Sequence, residues 1–145
     1  GRGDKATAQE FKRLLTGLDM LREKKGMGCI LLAHQGLHRS GNALGEDFQK
    51  FVADIHKNSW SLLVGWADHI GHACRDYMVH VPQGKEDSGK GIAKQMSNTR
   101  WLVFDGGPGR DAGARAGYEM PDRIELSWSA YADNIAKHFK QENTI

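Results

Sequence analysis

The sequence predicts an α/β fold with parallel core strands, a C-terminal antiparallel hairpin and flanking helices, formed by a single domain over residues 1–145. Three observations predict this fold. Residues 27–35 form an apolar run that ends in a polar pair, which is typical of a strand buried on both faces of a parallel sheet. An amphipathic helix precedes this run directly. Apolar and polar residues alternate at 77–81, and 100–104 has a similar pattern, which predicts two paired strands.

The first predicted element is a helix that ends at Gly26. Apolar residues recur along one face of this helix at the spacing of a helical turn. They are Phe11, Leu14, Leu15, Leu18 and Leu21. Thr7 and Glu10 have the spacing of a capping box, and glycine is the residue at which helices commonly end. The helix is therefore expected to span about residues 7–25.

The apolar run at 27–35 is expected to be the central strand of the sheet. In open α/β sheets the ligand crevice lies at the carboxyl ends of the strands, so His34 and Gln35 are predicted to lie beside a bound phosphate. Residues 36–46 contain three glycines and no apolar periodicity. This segment therefore predicts a mobile loop at the functional end of the sheet.

The remaining elements follow in order along the chain. They are an extended stretch over 48–55, a helix capped by Asn58 or Ser59 that carries Trp60, Leu63 and Trp66, two hairpin strands at 70–81 and 100–104 joined by a polar loop at 83–99, a strand at 123–126, and a helix at 129–139. The hairpin is predicted because two extended segments flank one polar connection.

Composition limits the classes of function. Of the 145 residues, 39% are hydrophobic and 26% are charged, as in an ordinary soluble domain with one core. A net charge of +2 permits contact with nucleic acid without requiring it. No apolar run reaches the ~20 residues of a membrane span. Cys29 and Cys74 are far apart in apolar surroundings, which favours structural thiols and a cytoplasmic location.

Two local motifs are incomplete. Residues 84–90 match the start of a phosphate-binding P-loop, but Gly91 stands where a Ser or Thr would contact magnesium, so a solvated hairpin loop is the simpler interpretation. His69, His72 and Cys74 have no fourth Cys or His ligand nearby at the spacing of a zinc site, so no metal site is predicted.

Several segments in order resemble one protein family. They are residues 14–25, the run Cys29-Ile30-Leu31-Leu32-Ala33-His34-Gln35, Trp66-Ala67-Asp68, and residues 111–121 followed by Ile124-Glu125-Leu126-Ser127-Trp128. Together they resemble the C-terminal half of the phage-encoded RecA-like AAA-family ATPases, which are similar to RecA and RadA recombinases and include single-strand annealing proteins. The resemblance implies part of a RecA-like P-loop NTPase sheet, finished by an antiparallel hairpin.

The resemblance also implies a setting for the chain. The phosphate-binding loop and the metal-holding Asp of the family precede the first helix, so a missing N-terminal half is expected and this segment alone is not expected to hydrolyse ATP. ATP and Mg²⁺ are implied for the longer parent protein. The parent would act on single-stranded DNA during recombination, as a homo-oligomer in the cytoplasm of a bacterial host cell, without a membrane.

The resemblance assigns roles to five residues on the first half of the chain. Gln35 matches the family's γ-phosphate sensor, because an uncharged amide can bind a terminal phosphate and respond to its loss, and His34 would lie next to the nucleotide. His38, Arg39 and Lys50 match the DNA-facing loop and are predicted phosphate contacts.

A sixth role falls on Arg115 in the stretch 113–117, which matches a family segment whose basic residue reaches the nucleotide of a neighbouring subunit. The Lys and Asn of the family string are absent here, and Arg110 is a possible substitute. The alternative function is a non-catalytic module with a RecA-like shell that binds nucleic acid or supports assembly.

Overall fold

The computed structural model describes residues 2–42, 45–81 and 91–142, and the chain divides into two compact units. Unit 1 comprises residues 1–70 and 107–111, and unit 2 comprises residues 71–106 and 112–145. Unit 1 therefore contains a short segment that follows much of unit 2 along the chain.

Unit 1 is formed by two helices and a β-hairpin. Its elements are α1 (Arg2–Lys25), β1 (Gln35–Ser40), β2 (Phe48–Ala53), α2 (Lys57–Trp66) and the short strand β3 (His69–Ile70). The two helices are joined by polar contacts, since the Trp66 indole N–H donates to the Asp19 carboxylate at 2.8 Å and Arg22 lies 3.4 Å from the Asp68 carboxylate. These contacts fix α1 against α2.

Helix α1 confirms the predicted helix but differs from it at the start. It begins at Arg2, so Thr7 lies inside the helix and is not its N-cap. Ala6 and Lys5 favour helix, which allows the helix to extend before Thr7. Gly26 ends the helix as predicted, with φ 61° and its N–H donating to the Arg22 carbonyl at 2.9 Å.

The buried face of α1 is narrower than the periodicity predicts. Leu15 is buried, whereas Leu14 and Leu21 are 50% and 42% exposed. The periodicity identifies the side of the helix that can be buried, but the width of the contact depends on the elements that pack against it.

The predicted central strand at 27–35 is wrong. Residues 26–34 have no regular secondary structure, and Ile30 and Leu32 are 68% and 94% exposed. A parallel strand forms only where neighbouring strands lie on its edges, and no described strand pairs with this segment. The strand pairs within each unit, β1 with β2 and those of the sheet in unit 2, are antiparallel. The described residues therefore form no RecA-like parallel core.

The predicted mobile loop at 36–46 is also wrong in its first half. Residues 35–40 form β1, which pairs with β2 and places Leu37 directly opposite Phe51. A cross-strand apolar pair of this kind stabilises a hairpin. The strand β2 lies within the predicted extended stretch at 48–55.

Helix α2 confirms the predicted helix that carries Trp60, Leu63 and Trp66. The capping residue differs, because the His56 Nδ1 accepts from the Asn58 backbone N–H at 3.3 Å. Ser59 is instead buried inside the first turn, at 3% exposure, and its Oγ has no hydrogen-bond partner among the described residues.

Ser59→Ala should raise the free energy of unfolding by about 1 kcal/mol, because a buried hydroxyl without a partner loses its hydration and gains nothing in return. The matched control is Ser61→Ala in the same helix, where the serine is exposed and only the helix preference of alanine contributes, about 0.5 kcal/mol. Urea unfolding measures both. Equal gains in the two variants would contradict the prediction.

Unit 2 is a three-stranded antiparallel sheet with one helix. Its elements are β4 (His72–His80), β5 (Ile92–Val103), β6 (Gly113–Ala114), β7 (Arg123–Glu125) and α3 (Trp128–Glu142), with sheet order β4-β5-β7. The core includes Val103, Phe104 and Ile124, and the Phe104 ring lies 6.4 Å from the ring of Tyr131 on α3.

The sheet of unit 2 confirms the predicted antiparallel hairpin, and β7 and α3 confirm the predicted C-terminal strand and helix. One boundary is wrong: residues 92–99, predicted as loop, belong to β5. The pairing continues there because Met78 and Val79 lie opposite Lys94 and Ala93. The P-loop-like residues 84–90 lie outside the described part of the chain.

Candidate nucleic-acid interface

His34 and Gln35, the predicted nucleotide-adjacent pair, lie at the start of the β1–β2 hairpin. Gln35 is the first residue of β1, and the His34 carbonyl accepts from the Asp54 N–H at 2.7 Å. Both side chains are exposed. They were expected at the carboxyl end of a parallel strand, and that strand is not formed. The sensor role of Gln35 therefore stays a prediction from the resemblance.

The three predicted DNA contacts lie on the same hairpin but on two faces. His38 is directly opposite Lys50, so their side chains share one face, while Arg39 is opposite Gln49 and lies on the other face. Arg39 pairs with the Asp47 carboxylate at 3.0 Å. These cations therefore do not form one basic surface.

Lys50 is held by Asp111. Its Nζ lies 2.6 Å from the Asp111 Oδ1, and the Trp60 indole N–H donates to Oδ2 at 3.0 Å. The backbone completes the connection, because the Asp111 N–H donates to the Phe51 carbonyl at 2.9 Å. The side chains of Lys50 and Asp111 are each 26% exposed. The Asp111 carboxylate thus connects β2, α2 and the segment 107–111. It is paired with the Lys50 ammonium group, which was expected to contact phosphate.

Arg110 and Arg115 belong to different units. Arg110 is half-buried in unit 1 and exchanges backbone hydrogen bonds with Gly107 at 3.2 and 3.3 Å. Arg115 is an exposed residue of unit 2, and its carbonyl accepts from the Tyr118 N–H at 2.9 Å. A finger role for Arg115 requires the nucleotide of a neighbouring subunit, so it stays a prediction.

The sheet of unit 2 brings together four exposed side chains, none of which is among the predicted nucleic-acid contacts. Arg75 on β4 is directly opposite Arg100 on β5, and Tyr77 is directly opposite Gln95. The Arg75 Nη1 donates to the Gln95 Oε1 at 3.0 Å, which confirms that the two pairs share a face. Tyr77 is 60% exposed. We refer to Arg75, Tyr77, Gln95 and Arg100 as the β4–β5 patch.

The β4–β5 patch carries two positive charges in close proximity. Like charges at directly opposite positions of an antiparallel pair repel each other. The side chain of Arg100 makes no hydrogen bond or ion pair within the described part of the chain. An anion that bridges the two guanidinium groups would remove this repulsion and satisfy their donors.

The nearest acidic residue along β4, Asp76, faces the other side of the sheet. It accepts from the Trp101 indole N–H at 2.8 Å and from the Arg123 Nη1 at 3.3 Å, and the Arg123 guanidinium carbon lies 4.3 Å from the centre of the Trp101 ring. This cluster links β4, β5 and β7. Because the Asp76 carboxylate is held on this face, it does not neutralise the β4–β5 patch on the opposite face.

One part of the patch has a signal in the sequence. Arg75 and Tyr77 are two residues apart in a predicted strand, a spacing that places two side chains on the same face. Arg100 has no such signal, because the pairing register shifts between Arg75 and Tyr77 and only the folded hairpin shows which β5 residue lies opposite.

No protein-family model matches the chain, and comparison with curated proteins and with solved structures gives no significant match. The resemblance to phage RecA-like ATPases thus remains a sequence-based prediction, as do ATP and Mg²⁺ as ligands of a longer parent. Within residues 2–42, 45–81 and 91–142, no cluster of three or more His, Cys, Asp or Glu residues could hold a metal ion. The same residues include no helix that is long and apolar enough to cross a membrane.

Proposed function

We propose that the chain binds single-stranded nucleic acid through the β4–β5 patch. The observation that carries the proposal is the direct cross-strand pairing of Arg75 with Arg100 beside the exposed ring of Tyr77. Guanidinium groups match the oxygen geometry of phosphate, and a tyrosine ring on a sheet surface can stack on a base. The three side chains supply both kinds of contact that a nucleotide requires.

The spacing of the patch suits a single nucleotide. Residues two apart on a strand are about 7 Å apart along it, and opposite residues on paired strands lie about 5 Å apart. A phosphate between Arg75 and Arg100 therefore leaves its base within reach of Tyr77. Bases in a duplex are already stacked on each other, so a surface of this kind favours single strands.

The proposal keeps the partner that the resemblance implies, single-stranded DNA, and assigns the contact to unit 2. It differs from the expected contact through His38, Arg39 and Lys50, whose lysine and arginine are paired with carboxylates. Gln95 supports the proposal as a positioning residue, since its carbonyl oxygen holds the Arg75 guanidinium.

The test measures binding of the full chain to a fluorescent oligothymidylate by fluorescence anisotropy, over a series of salt concentrations. Arg75→Gln with Arg100→Gln should weaken binding at least about tenfold and reduce the steepness of log K against log salt by about 0.7, since the two arginines share one phosphate and each neutralised phosphate of a single strand contributes about 0.7. Tyr77→Leu should weaken binding by about 1–3 kcal/mol and leave the slope unchanged, because stacking involves no counterion.

The matched control is Arg39→Gln with His38→Ala, which alters the other hairpin. Binding by this control should equal that of the wild type, and a duplex of the same length should bind more weakly than the single strand. Loss of binding in the control, together with normal binding in the Arg75 and Arg100 variant, would move the interface to the β1–β2 hairpin. Absence of salt-sensitive binding by the wild type would reject the proposal.

A further inference from the structure

The segment between α1 and β1 is apolar, uncharged and uncovered. It consists of Met27, Gly28, Cys29, Ile30, Leu31, Leu32 and Ala33, and is called the 27–33 segment below. Its large side chains are exposed by 48% at Met27, 68% at Ile30, 42% at Leu31 and 94% at Leu32. Consecutive exposed apolar residues of this kind mark an interaction surface.

The backbone of the 27–33 segment is also unpaired. None of its N–H or C=O groups forms a hydrogen bond within the described residues. The bonds on either side involve Gly26, which donates to Arg22, and His34, which accepts from Asp54. An exposed segment with unpaired backbone donors and acceptors and consecutive apolar side chains can add to another strand.

We propose that the 27–33 segment pairs with the same segment of a second copy of the chain, antiparallel and with the two-fold axis at Leu31. In this register Leu31 lies opposite its own copy, and Ile30 lies opposite Leu32. Cys29 lies opposite Ala33, so the small side chains meet on the face of the leucine pair. Each copy of the segment thus offers the other both backbone hydrogen-bonding groups and an apolar surface.

Charge distinguishes the antiparallel register from the parallel one. A parallel in-register pair would bring each His34 beside its copy and would bring together the two positively charged Lys25 side chains at the ends of α1, which repel each other. The antiparallel register places His34 opposite Gly28. A two-fold contact also closes after one addition, so it produces a dimer and no filament.

Two features of the neighbouring elements are compatible with this dimer. The 27–33 segment leads directly into β1, which is paired along one edge with β2, so the new strand would continue an existing one. The last turns of α1 lead into the segment from the other side and expose Met20 by 48% and Leu21 by 42%. A specific interface buries at least ~1,200 Å², which is more than a short strand pair supplies alone. The side chains of Met20 and Leu21 add apolar area to the contact.

The test is sedimentation velocity of the full chain over a concentration series, without nucleic acid, so that it is independent of the proposed function. The wild type should form a dimer. Leu31→Lys and Leu31→Glu should each sediment as a monomer, because each places like charges on the two-fold axis. An equimolar mixture of the two variants should recover the dimer, since residue 31 then lies opposite the other charge. Val79→Lys, at a 56% exposed residue of β4, should leave the dimer unchanged.

Hydrogen exchange of the wild type gives a second measurement that needs no variant. Amide exchange at 28–33 should slow as the concentration rises, because pairing protects those N–H groups. A wild type that stays monomeric throughout the series would overturn the proposal. So would a dimer that persists in both Leu31 variants, or a mixture of the two variants that remains monomeric.

Discussion

Asp111→Asn should lower the free energy of unfolding by about 2 kcal/mol. The substitution keeps the shape of the side chain but removes the charge that faces Lys50 at 2.6 Å, and it leaves that ammonium 26% exposed without its counter-charge. Removing one partner of a buried ion pair costs about 3–5 kcal/mol, and the partial exposure of this pair reduces the cost. The Trp60 N–H can still donate to the amide oxygen, so the loss reports mainly on the charge.

Urea unfolding of the wild type and variant measures this difference. Asp47→Asn is the matched control, because it removes a carboxylate from an arginine whose side chain is 78% exposed, and an exposed pair contributes about 0.2–1 kcal/mol at most. Adding Lys50→Met to Asp111→Asn should recover part of the lost stability, since no unpaired charge is then left. Equal effects of the Asp111 and Asp47 substitutions would show that the Lys50 pair contributes no more than a surface pair.

Gly106→Ala should destabilise the chain by about 2–3 kcal/mol, as overpacking against a fixed neighbour does. A Cβ on this residue would lie 2.2 Å from the carbonyl oxygen of Ala112 and 3.2 Å from its carbonyl carbon. Both atoms belong to the backbone, so no side-chain rotation can relieve the clash. The backbone must therefore shift after the end of β5, or Ala112 must move away from residue 106.

Gly107→Ala is the control for Gly106→Ala, since an added Cβ there meets nothing within 4 Å. It should change stability by no more than about 0.5 kcal/mol and, where its backbone is compatible, increase it by restricting the unfolded chain. Thermal unfolding of both variants in parallel separates the steric clash from the general effect of replacing a glycine. A Gly106 variant as stable as the Gly107 variant would contradict the close approach.

Elements whose apolar residues recur with helical or strand periodicity could be predicted from the sequence. The structure of the apolar run at 27–35 could not. The helix that carries Trp60 and Trp66 and the strands of the 70–104 hairpin have local patterns that match their structure. An apolar run shows only that a segment can be buried. Whether it becomes a strand depends on neighbours that the run itself does not specify, and in this structure no described strand pairs with residues 27–33.

The cations of the predicted DNA contacts show a second limit. Arg39 and Lys50 are basic in the sequence, but each is paired with a carboxylate, Asp47 at a separation of 8 residues and Asp111 at a separation of 61. Neither pairing follows from a local pattern. The β4–β5 patch was missed for the same reason, since its Arg100 joins Arg75 only through the register of the hairpin.

The segment 107–111 makes unit 1 discontinuous along the chain. During synthesis, β2 is made long before Asp111, so the carboxylate that receives Lys50 and Trp60 arrives only after most of the unit 2 sheet has been synthesised. A fragment that stops at residue 70 would carry a half-buried lysine with no acceptor and an open edge at Phe51. Neither unit can therefore be excised as one uninterrupted piece, and a gene split between them would separate partners that must fold together.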